Sequence, residues 1–250
     1  MNDVIRQLYG RKSTRAFTDQ AIDEPIVQEI LYAAAMAPTA GNQQLYTILR
    51  ITDPVLLRQL AESCDHQPFI AEGKLVLIFC ADCLKWYDAF AAAGCSPRRP
   101  GVGDLVLAID DALIAAQNAV TAAESYGIGS CYIGDIMENM ETHRKLLELP
   151  EYVFPAAMLV FGYPVPQQKR REKPRRADMK YIVHENRYFR LDARQLQDML
   201  AKGRSEEEYR QWIAAFCERK YHAGFSYEMS RSVSGYLKQY ENSGDHAQEN

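Results

Sequence analysis

The chain has no excess of positive charge: 29 lysines and arginines oppose 33 aspartates and glutamates, which leaves a formal net charge of −4. Such a chain has no general attraction to nucleic-acid phosphates or anionic lipids, so a bound anion requires a local basic cluster. Long hydrophobic runs are also missing. The longest, near residues 75–81 and 156–161, have the length of strands and cannot cross a bilayer. Residues 1–13 lack the apolar stretch of a secretory signal. We therefore expect a cytoplasmic protein that binds neither nucleic acid nor membrane.

Cysteines are few and several catalytic motifs are missing. Six scattered cysteines among 250 residues do not make a disulfide scaffold. Cys80 and Cys83 form a C-x-x-C pair, but no second pair completes a tetrahedral metal site, and we interpret both as core residues. The histidine at 184 has no partner at Tyr188, as a zinc protease requires, and no G-x-S-x-G occurs. The sequence thus predicts neither a metal site nor a serine hydrolase.

A glycine-rich dinucleotide fingerprint is missing too. Gly127 and Gly129 follow a predicted helix and precede a strand, the reverse of the Rossmann order, and Tyr132 occupies the third glycine position. A nucleotide would then need separate polar clusters, which the chain has at 11–15, 38–44 and 173–175. Each cluster alone is typical of a solvated surface or a turn. Two distant basic clusters could together hold one phosphate and the edge of a ring system.

Helix and strand signals alternate along the chain, which predicts an α+β or α/β fold. Helix caps are found at Asp23, Asp53 and Ser205. The run 104–126 is apolar around most of its circumference and ends at a glycine, which predicts a central, buried helix. Strands are predicted at the short apolar runs 47–51, 74–81, 131–134 and 156–162. Residues 167–177, with six basic residues and one acid, predict a loop, and residues 192–240 a polar helical segment.

A series of collinear segments, spanning residues 8 to about 188, resembles a known family. The segments are Arg11-Lys12-Ser13-Thr14-Arg15-Ala16-Phe17, the run 35–44, Gln67, and the runs 79–82, 116–119, 127–134, 146–150, 161–164, 173–175 and 184–186. In this order they resemble the FMN-dependent nitroreductase superfamily, especially its oxygen-insensitive nitroreductase and flavin reductase branch. The resemblance implies an α+β, nitroreductase-like fold with a mixed central sheet around a buried long helix. It further implies a homodimer with residues 1–190 as the FMN-binding core, 191–240 as a helical arm on the partner, and 241–250 as a disordered tail.

The resemblance also implies the residues that bind FMN. It assigns the phosphate to Arg11, Lys12, Ser13, Lys173 and Arg175, and the pyrimidine edge of the ring to Arg15 and Gln67. It assigns the ribityl chain and the rest of the ring to Pro38, Thr39, Ala40, Gly41, Asn42, Tyr132, Ile133 and Gly134. No side chain is assigned as a catalytic acid or base, because solvent can supply protons to a well-positioned cofactor.

The reaction implied is ping-pong transfer of a hydride from NADH or NADPH to FMN, and of electrons onward to a small nitroaromatic, quinone or flavin acceptor. Leu45 replaces a proline of many relatives, and the stretch 218–225 is shorter than the NADPH-contacting loop of longer relatives, so the choice of nicotinamide stays open. Two alternatives also stay open. The first is reductive dehalogenation or oxygen-dependent flavin chemistry, with 86–103 as a candidate lid. The second is a non-catalytic nucleotide-binding protein.

Overall fold

The structure is a computed structural model that describes residues 1–241; the predicted tail from 242 onward lies outside the described residues. The chain divides into two compact units. We call residues 1–171 together with 228–241 the sheet unit, and residues 172–227 the helical unit. This division does not coincide with the boundary expected near residue 190, because the extended segment from 172 onward already belongs with the helical residues.

The sheet unit contains four strands in the order β1-β2-β4-β3. They are β1 (Tyr46–Ile51), β2 (Leu75–Asp82), β3 (Gly129–Ile133) and β4 (Val153–Gly162). The four predicted strands are confirmed with small shifts at their ends. Every residue of β2 and β4 is buried, which explains why both read as continuous apolar runs. The three strand pairings are antiparallel, and the expected mixed character is limited to one parallel bridge between Ser13 and Ser130.

Helices flank this sheet and contribute its second layer. Those of the sheet unit are α1 (Asp3–Gly10), α2 (Glu24–Ala35), α3 (Pro54–Ser63), α4 (Phe69–Glu72), α5 (Leu84–Ala92), α6 (Val102–Ser125), α7 (Met140–Leu146) and α8 (Pro166–Arg170). Asp53 caps α3 by accepting from the Val55 amide at 2.8 Å. The prediction of a loop over 167–177 is wrong at its start, because Pro166 initiates a short helix there.

The long helix α6 packs against α2, β2 and β4. Alanines recur on its inner face every three or four residues, and this spacing lets the helix approach the sheet closely; they are Ala108, Ala112, Ala115, Ala119 and Ala123. The prediction of burial on all sides is wrong for the outer face, where Val106 is 52% and Ile114 41% exposed. Helix α6 is also long and apolar enough to cross a membrane by length and composition, but the core helix of a soluble protein passes the same test.

The C-terminal region is helical as predicted, with α9 (Ala193–Ala201), α10 (Glu206–Tyr221) and α11 (Gly224–Glu241). The expected capping box is present, since Ser205 accepts from the Glu208 amide. The last turns of α11 pack into the chain's own core, and the expected contact of residues 191–240 with a partner stays a prediction. Tyr236 and Tyr240 are each 1% exposed, and the Tyr236 ring makes an edge contact with Phe154 of β4 at 5.0 Å between centroids.

The start of β3 allows one prediction about packing. A Cβ atom at Gly129 would lie 2.4 Å from Thr14 Oγ1, and Thr14 is fixed by its amide, which donates to the Ser130 carbonyl at 2.9 Å. We expect Gly129→Ala to lower the free energy of unfolding by about 1–3 kcal/mol through overpacking. Gly103→Ala in α6 is the control, because nothing lies within 4 Å of its Cβ position. Equal free energies of unfolding for Gly129→Ala and Gly103→Ala, measured by urea denaturation, would contradict this packing.

Candidate functional site

The basic segment 11–15 runs beside β3. The parallel bridge from Ser13 to Ser130 fixes its position, and the Arg11 guanidinium lies 5.9 Å from the centre of the Tyr132 ring. The Nε and Nη2 atoms of Arg11 are buried and have no hydrogen-bond partner among the described residues. Buried donors without partners are rare and costly in proteins. A buried, charged donor pair of this kind is suited to an anion.

Lys12 is occupied elsewhere. Its ammonium group donates to the carbonyl of Lys169 at 2.7 Å and to that of Arg171. Lys12 therefore ties the 11–15 segment to the end of α8, and its role toward the phosphate stays a prediction. The neighbouring Arg15 is exposed, and its backbone amide donates to Gln168 Oε1 at 3.4 Å.

Cys131 lies at the centre of these basic residues. Burial raises the pKa of its thiol, while the charges of Arg15 and Arg11 and hydrogen bonds with the Ser13 and Arg15 side chains lower it. Ser13, Arg15 and Arg11 therefore all influence the same thiol on β3, that of Cys131. Sequence reasoning missed Cys131 as part of this environment, because its position within an apolar strand predicts only burial.

The loop 38–44 is organised by a buried carboxylate of α6. Asp111 accepts from the amide of Ala40 at 2.9 Å and from the amide of Leu45 at 3.1 Å. Between these anchors Gly41, Asn42 and Gln44 all have positive φ, at 55°, 57° and 51°. Gly41 and Asn42 are exposed. The expected loop is thus a fixed turn with open backbone, and Asp111, an acid within an apolar helix, is the anchor that sequence reasoning missed.

The two remaining members of this loop, Pro38 and Thr39, precede the turn. Thr39 supports it through its hydroxyl, which accepts from the Gln44 amide at 3.0 Å. Pro38 is exposed. Both therefore lie at the start of the same exposed surface.

Gln67 is held in one orientation by two acceptors. Its Nε2 atom donates to the carbonyl of Cys64 at 2.8 Å and to Asp135 Oδ2 at 2.9 Å. Because both amide hydrogens are used, Oε1 is the atom left to accept from a ligand. Asp135 directly follows Gly134, so this hydrogen bond brings Gln67 next to the end of β3.

The β3 residues themselves differ in surroundings. Ile133 is buried in the core. Tyr132 is half-buried, and its hydroxyl lies 3.5 Å from Gln117 Oε1 of α6; burial raises the pKa of Tyr132 to about 12. Gly134 is exposed, and a Cβ atom there would meet only Met137 Cε at 3.8 Å. The chain's own packing therefore does not demand a glycine at 134, and the backbone there is open to contact.

Glu138 lies in the same region and is 5% exposed. Its Oε1 atom has no hydrogen-bond partner among the described residues. Burial, together with the negative charges of Asp135, Asp65 and Glu228, raises the pKa of this carboxyl to about 7. A carboxyl that holds its proton to neutral pH thus lies close to the residue that orients Gln67.

A second thiol lies beside a histidine, the arrangement of some nucleophiles. His143 Nε2 lies 3.8 Å from Cys64 Sγ and 2.8 Å from Ser63 Oγ. Both Cys64 and His143 are fully buried, and burial raises the pKa of Cys64 to about 12 while it lowers that of His143. Neither group is charged or accessible, so the pair packs the core and does not act as a nucleophile.

Lys173 and Arg175 belong to the helical unit. The Arg175 carbonyl accepts from Lys202 Nζ at 2.8 Å, and the Arg175 side chain borders a cavity of about 310 Å³ together with Arg176, Lys202 and Arg204. The basic stretch predicted as a loop therefore presents a concave positive surface within its own unit. Asp178 and Asp198 on the same cavity partly offset the charge. Among residues 1–241 no group of three or more metal-binding side chains is found.

Comparisons with known proteins identify the family of this chain. A family model described as the Nitroreductase family matches residues 8–163. An FMN reductase [NAD(P)H] of Bacillus subtilis (strain 168) is 30% identical over 236 residues, 89% of this chain and 94% of the relative. An oxygen-insensitive NADPH nitroreductase of Salmonella typhimurium (strain LT2) is 34% identical over 197 residues, 78% of this chain and 79% of the relative.

Solved structures share the fold. The NADPH:FMN oxidoreductase from Vibrio harveyi, complexed with NAD⁺, superposes with a TM-score of 0.79 and 25% identity over 94% of this chain and 98% of that chain. The range matched by the family model, residues 8–163, contains the four strands, the long helix and the 11–15 segment. The α+β architecture is that of these proteins, and the chain belongs to the nitroreductase family.

Proposed function

We propose that this chain is an FMN-dependent oxidoreductase that takes a hydride from NADH or NADPH and passes electrons to a small nitroaromatic, quinone or flavin. The observation that carries the proposal is the half-buried Arg11, of which the Nε and Nη2 atoms are buried and have no hydrogen-bond partner among the described residues; such a guanidinium suits a phosphate. The relatives named above as FMN reductase and NADPH nitroreductase support the same cofactor and donor. FMN, when bound, supplies the redox chemistry. We also infer that the protein works in the cytoplasm, since its six cysteines are free thiols.

Different residues would bind different parts of FMN. Arg11 and Ser13 would hold the phosphate, and Lys12 would support Arg11 by fixing the 11–15 segment. For Lys173 and Arg175 of the helical unit, phosphate binding stays a prediction. Gln67 would accept from the ring through Oε1, held in place by Asp135. The fixed turn Pro38, Thr39, Ala40, Gly41 and Asn42, and the backbone of Tyr132, Ile133 and Gly134, would line the ribityl chain and ring. No side chain is needed as an acid or base.

Rapid mixing tests the activity. Under anaerobic conditions the yellow protein should lose its absorbance near 450 nm on addition of NADPH or NADH, and nitrofurazone should restore it. Restoration by a chlorinated phenol with release of chloride, and not by nitrofurazone, would favour the dehalogenase alternative. A yellow protein that neither nicotinamide bleaches would be a binding protein, and the proposed activity would be wrong.

Arg15 is proposed to tune the bound cofactor rather than to anchor it. Because its positive charge favours added negative charge on the ring, Arg15→Gln should lower the two-electron midpoint potential by about 30 mV, which corresponds to about 1.4 kcal/mol. Spectroelectrochemical titration measures it, with Arg194→Gln in the helical unit as a control of equal charge. An unchanged potential together with weaker FMN binding would place Arg15 at the phosphate instead.

We further propose that the chain forms a homodimer. The support is the outer face of α6, where Val106, Leu113 and Ile114 are 52%, 37% and 41% exposed. Apolar residues aligned on one exposed helix face are typical of subunit interfaces. Light scattering should give twice the chain mass of 28.5 kDa, and Ile114→Glu should shift the protein toward the single chain. A monomer in the wild type would remove this part of the proposal, as would a dimer unaffected by Ile114→Glu.

A further inference from the structure

An aromatic cavity lies beside the 38–44 loop, within the sheet unit. It encloses about 410 Å³ between α5, the segment 95–100 and the beginning of α6, a volume in the range of small-molecule sites. Trp86, Tyr87 and Phe90 line it. The ring centroids of Trp86 and Phe90 lie 5.5 Å apart and the rings are inclined by 44°, so the two rings form one continuous aromatic wall.

The remaining walls are neutral. Leu45 and Cys83 are buried beneath the aromatic residues, and burial raises the pKa of the Cys83 thiol to about 12, so it carries no charge. Arg98 and Asp104, the two charged residues on the wall, pair with each other at 2.5 Å. No unpaired formal charge among the lining residues is available to attract an ionic ligand.

The cavity is connected to the 38–44 loop by hydrogen bonds from α5. The Trp86 indole N–H donates to the carbonyl of Gln43 at 2.7 Å, and Lys85 Nζ donates to the carbonyl of Gln44 at 3.2 Å. Gln43 itself also lines the cavity. A molecule seated against Trp86 would therefore touch the side chain that holds the end of this loop.

We propose that this cavity is a binding site for a small, neutral, planar aromatic molecule of one or two fused rings. Aromatic walls favour an aromatic ligand over a saturated one of equal size, because ring pairs gain beyond the area that they bury. The paired charges favour a neutral ligand, and Gln43 and Ser96 offer polar groups to one edge of it. The proposal concerns binding alone and holds whether or not the chain reduces its ligand.

The two tryptophans of the chain, Trp86 and Trp212, supply an internal comparison. Trp212 lies in the helical unit, beneath the Arg204 guanidinium at 4.5 Å. In protein labelled with ¹⁵N-tryptophan the indole N–H groups give two signals, which Trp212→Phe assigns. Titration of the purified full-length protein with 1-naphthol should shift the Trp86 signal saturably and leave the Trp212 signal in place. The saturated analogue 1-decalol should bind at least about threefold more weakly.

Phe90→Ala tests the location. Phe90 is 41% exposed, so its truncation should spare the fold, which thermal unfolding checks. We expect it to weaken naphthol binding by about three- to tenfold, whereas Phe189→Ala, at an exposed phenylalanine of the helical unit, should not. An unshifted Trp86 signal, equal shifts of both tryptophans, equal binding of decalol, or a Phe90→Ala variant that binds as the wild type would each overturn the proposal. If Phe90→Ala does not fold, the titration of the wild type still tests the proposal through the Trp86 signal.

Discussion

Replacing Arg11 by alanine is expected to weaken FMN binding by about 1.5–3 kcal/mol, or roughly 10- to 150-fold. In the chain alone the buried Nε and Nη2 atoms have no partner among the described residues, so a phosphate there would gain charge-assisted hydrogen bonds. Titration of apoprotein with FMN, followed by the quenching of flavin fluorescence, gives the dissociation constant.

The stability of the apoprotein separates this account from simple damage to the fold. If the buried donors of Arg11 gain partners only when an anion binds, Arg11→Ala removes unsatisfied donors from the apoprotein. The apo variant should then have a melting temperature at least equal to that of apo wild type. Arg6→Ala is the matched control, because Arg6 is an exposed arginine of the preceding helix that pairs with Asp3 at 3.2 Å. Equal FMN affinity in Arg11→Ala and wild type would remove Arg11 from the cofactor site.

Glu138→Gln is expected to stabilise the protein at alkaline pH by up to about 3 kcal/mol and to have little effect below pH 4.5. The pKa of Glu138 rises from 4.5 to about 7 in the folded protein. A raised pKa in the folded state gives stability that is fully present below the unfolded pKa and is lost as the pH rises through about 7. Glutamine keeps the shape of the protonated carboxyl and has no proton to lose.

Urea denaturation of both proteins between pH 4 and pH 8.5 measures the difference. Glu29→Gln, at an exposed glutamate of α2, is the control and should show no such trend. A stability difference between Glu138→Gln and wild type that stays constant with pH would mean that Glu138 is already ionised in the folded protein, despite its burial.

Local sequence signals predicted the parts of the fold in which one pattern dominates. The continuous apolar runs gave β2 and β4, because strands buried on both faces need apolar side chains at every position. Helix caps at Asp53 and Ser205 gave the starts of α3 and α10. The end of α6 followed from the glycine at 127, which has a positive φ of 70°.

Features that depend on contacts between residues far apart in the sequence could not be predicted. Helix α6 is buried on its inner face and exposed on its outer face. Its composition does not show which face the rest of the chain covers. The packing of α11 into the core could not be predicted from the polar composition of residues 192–240, in which the buried Ser232, Tyr236 and Tyr240 are spaced four residues apart. The hydrogen bonds of Lys12 could not be predicted either, because their acceptors, the carbonyls of Lys169 and Arg171, lie more than 150 residues away along the chain.

The candidate site was predicted as a set of segments, and the structure adds what orients them. Asp111 and Asp135 carry no motif, yet the first fixes the 38–44 loop and the second fixes Gln67. A single buried carboxylate in an apolar helix is the kind of signal that could have identified Asp111. Nothing in the sequence distinguishes Asp135 from an ordinary turn residue, because its role depends on a hydrogen bond across 68 residues.

Identification of the released chromophore shows whether the protein binds FMN. The protein as purified, or after incubation with an equal mixture of FMN and FAD followed by desalting, is denatured by heat and the supernatant is separated by chromatography. We expect FMN alone, at close to one molecule per chain, because the buried Arg11 donors suit a single terminal phosphate. Release of FAD, or of no flavin after reconstitution, would contradict it.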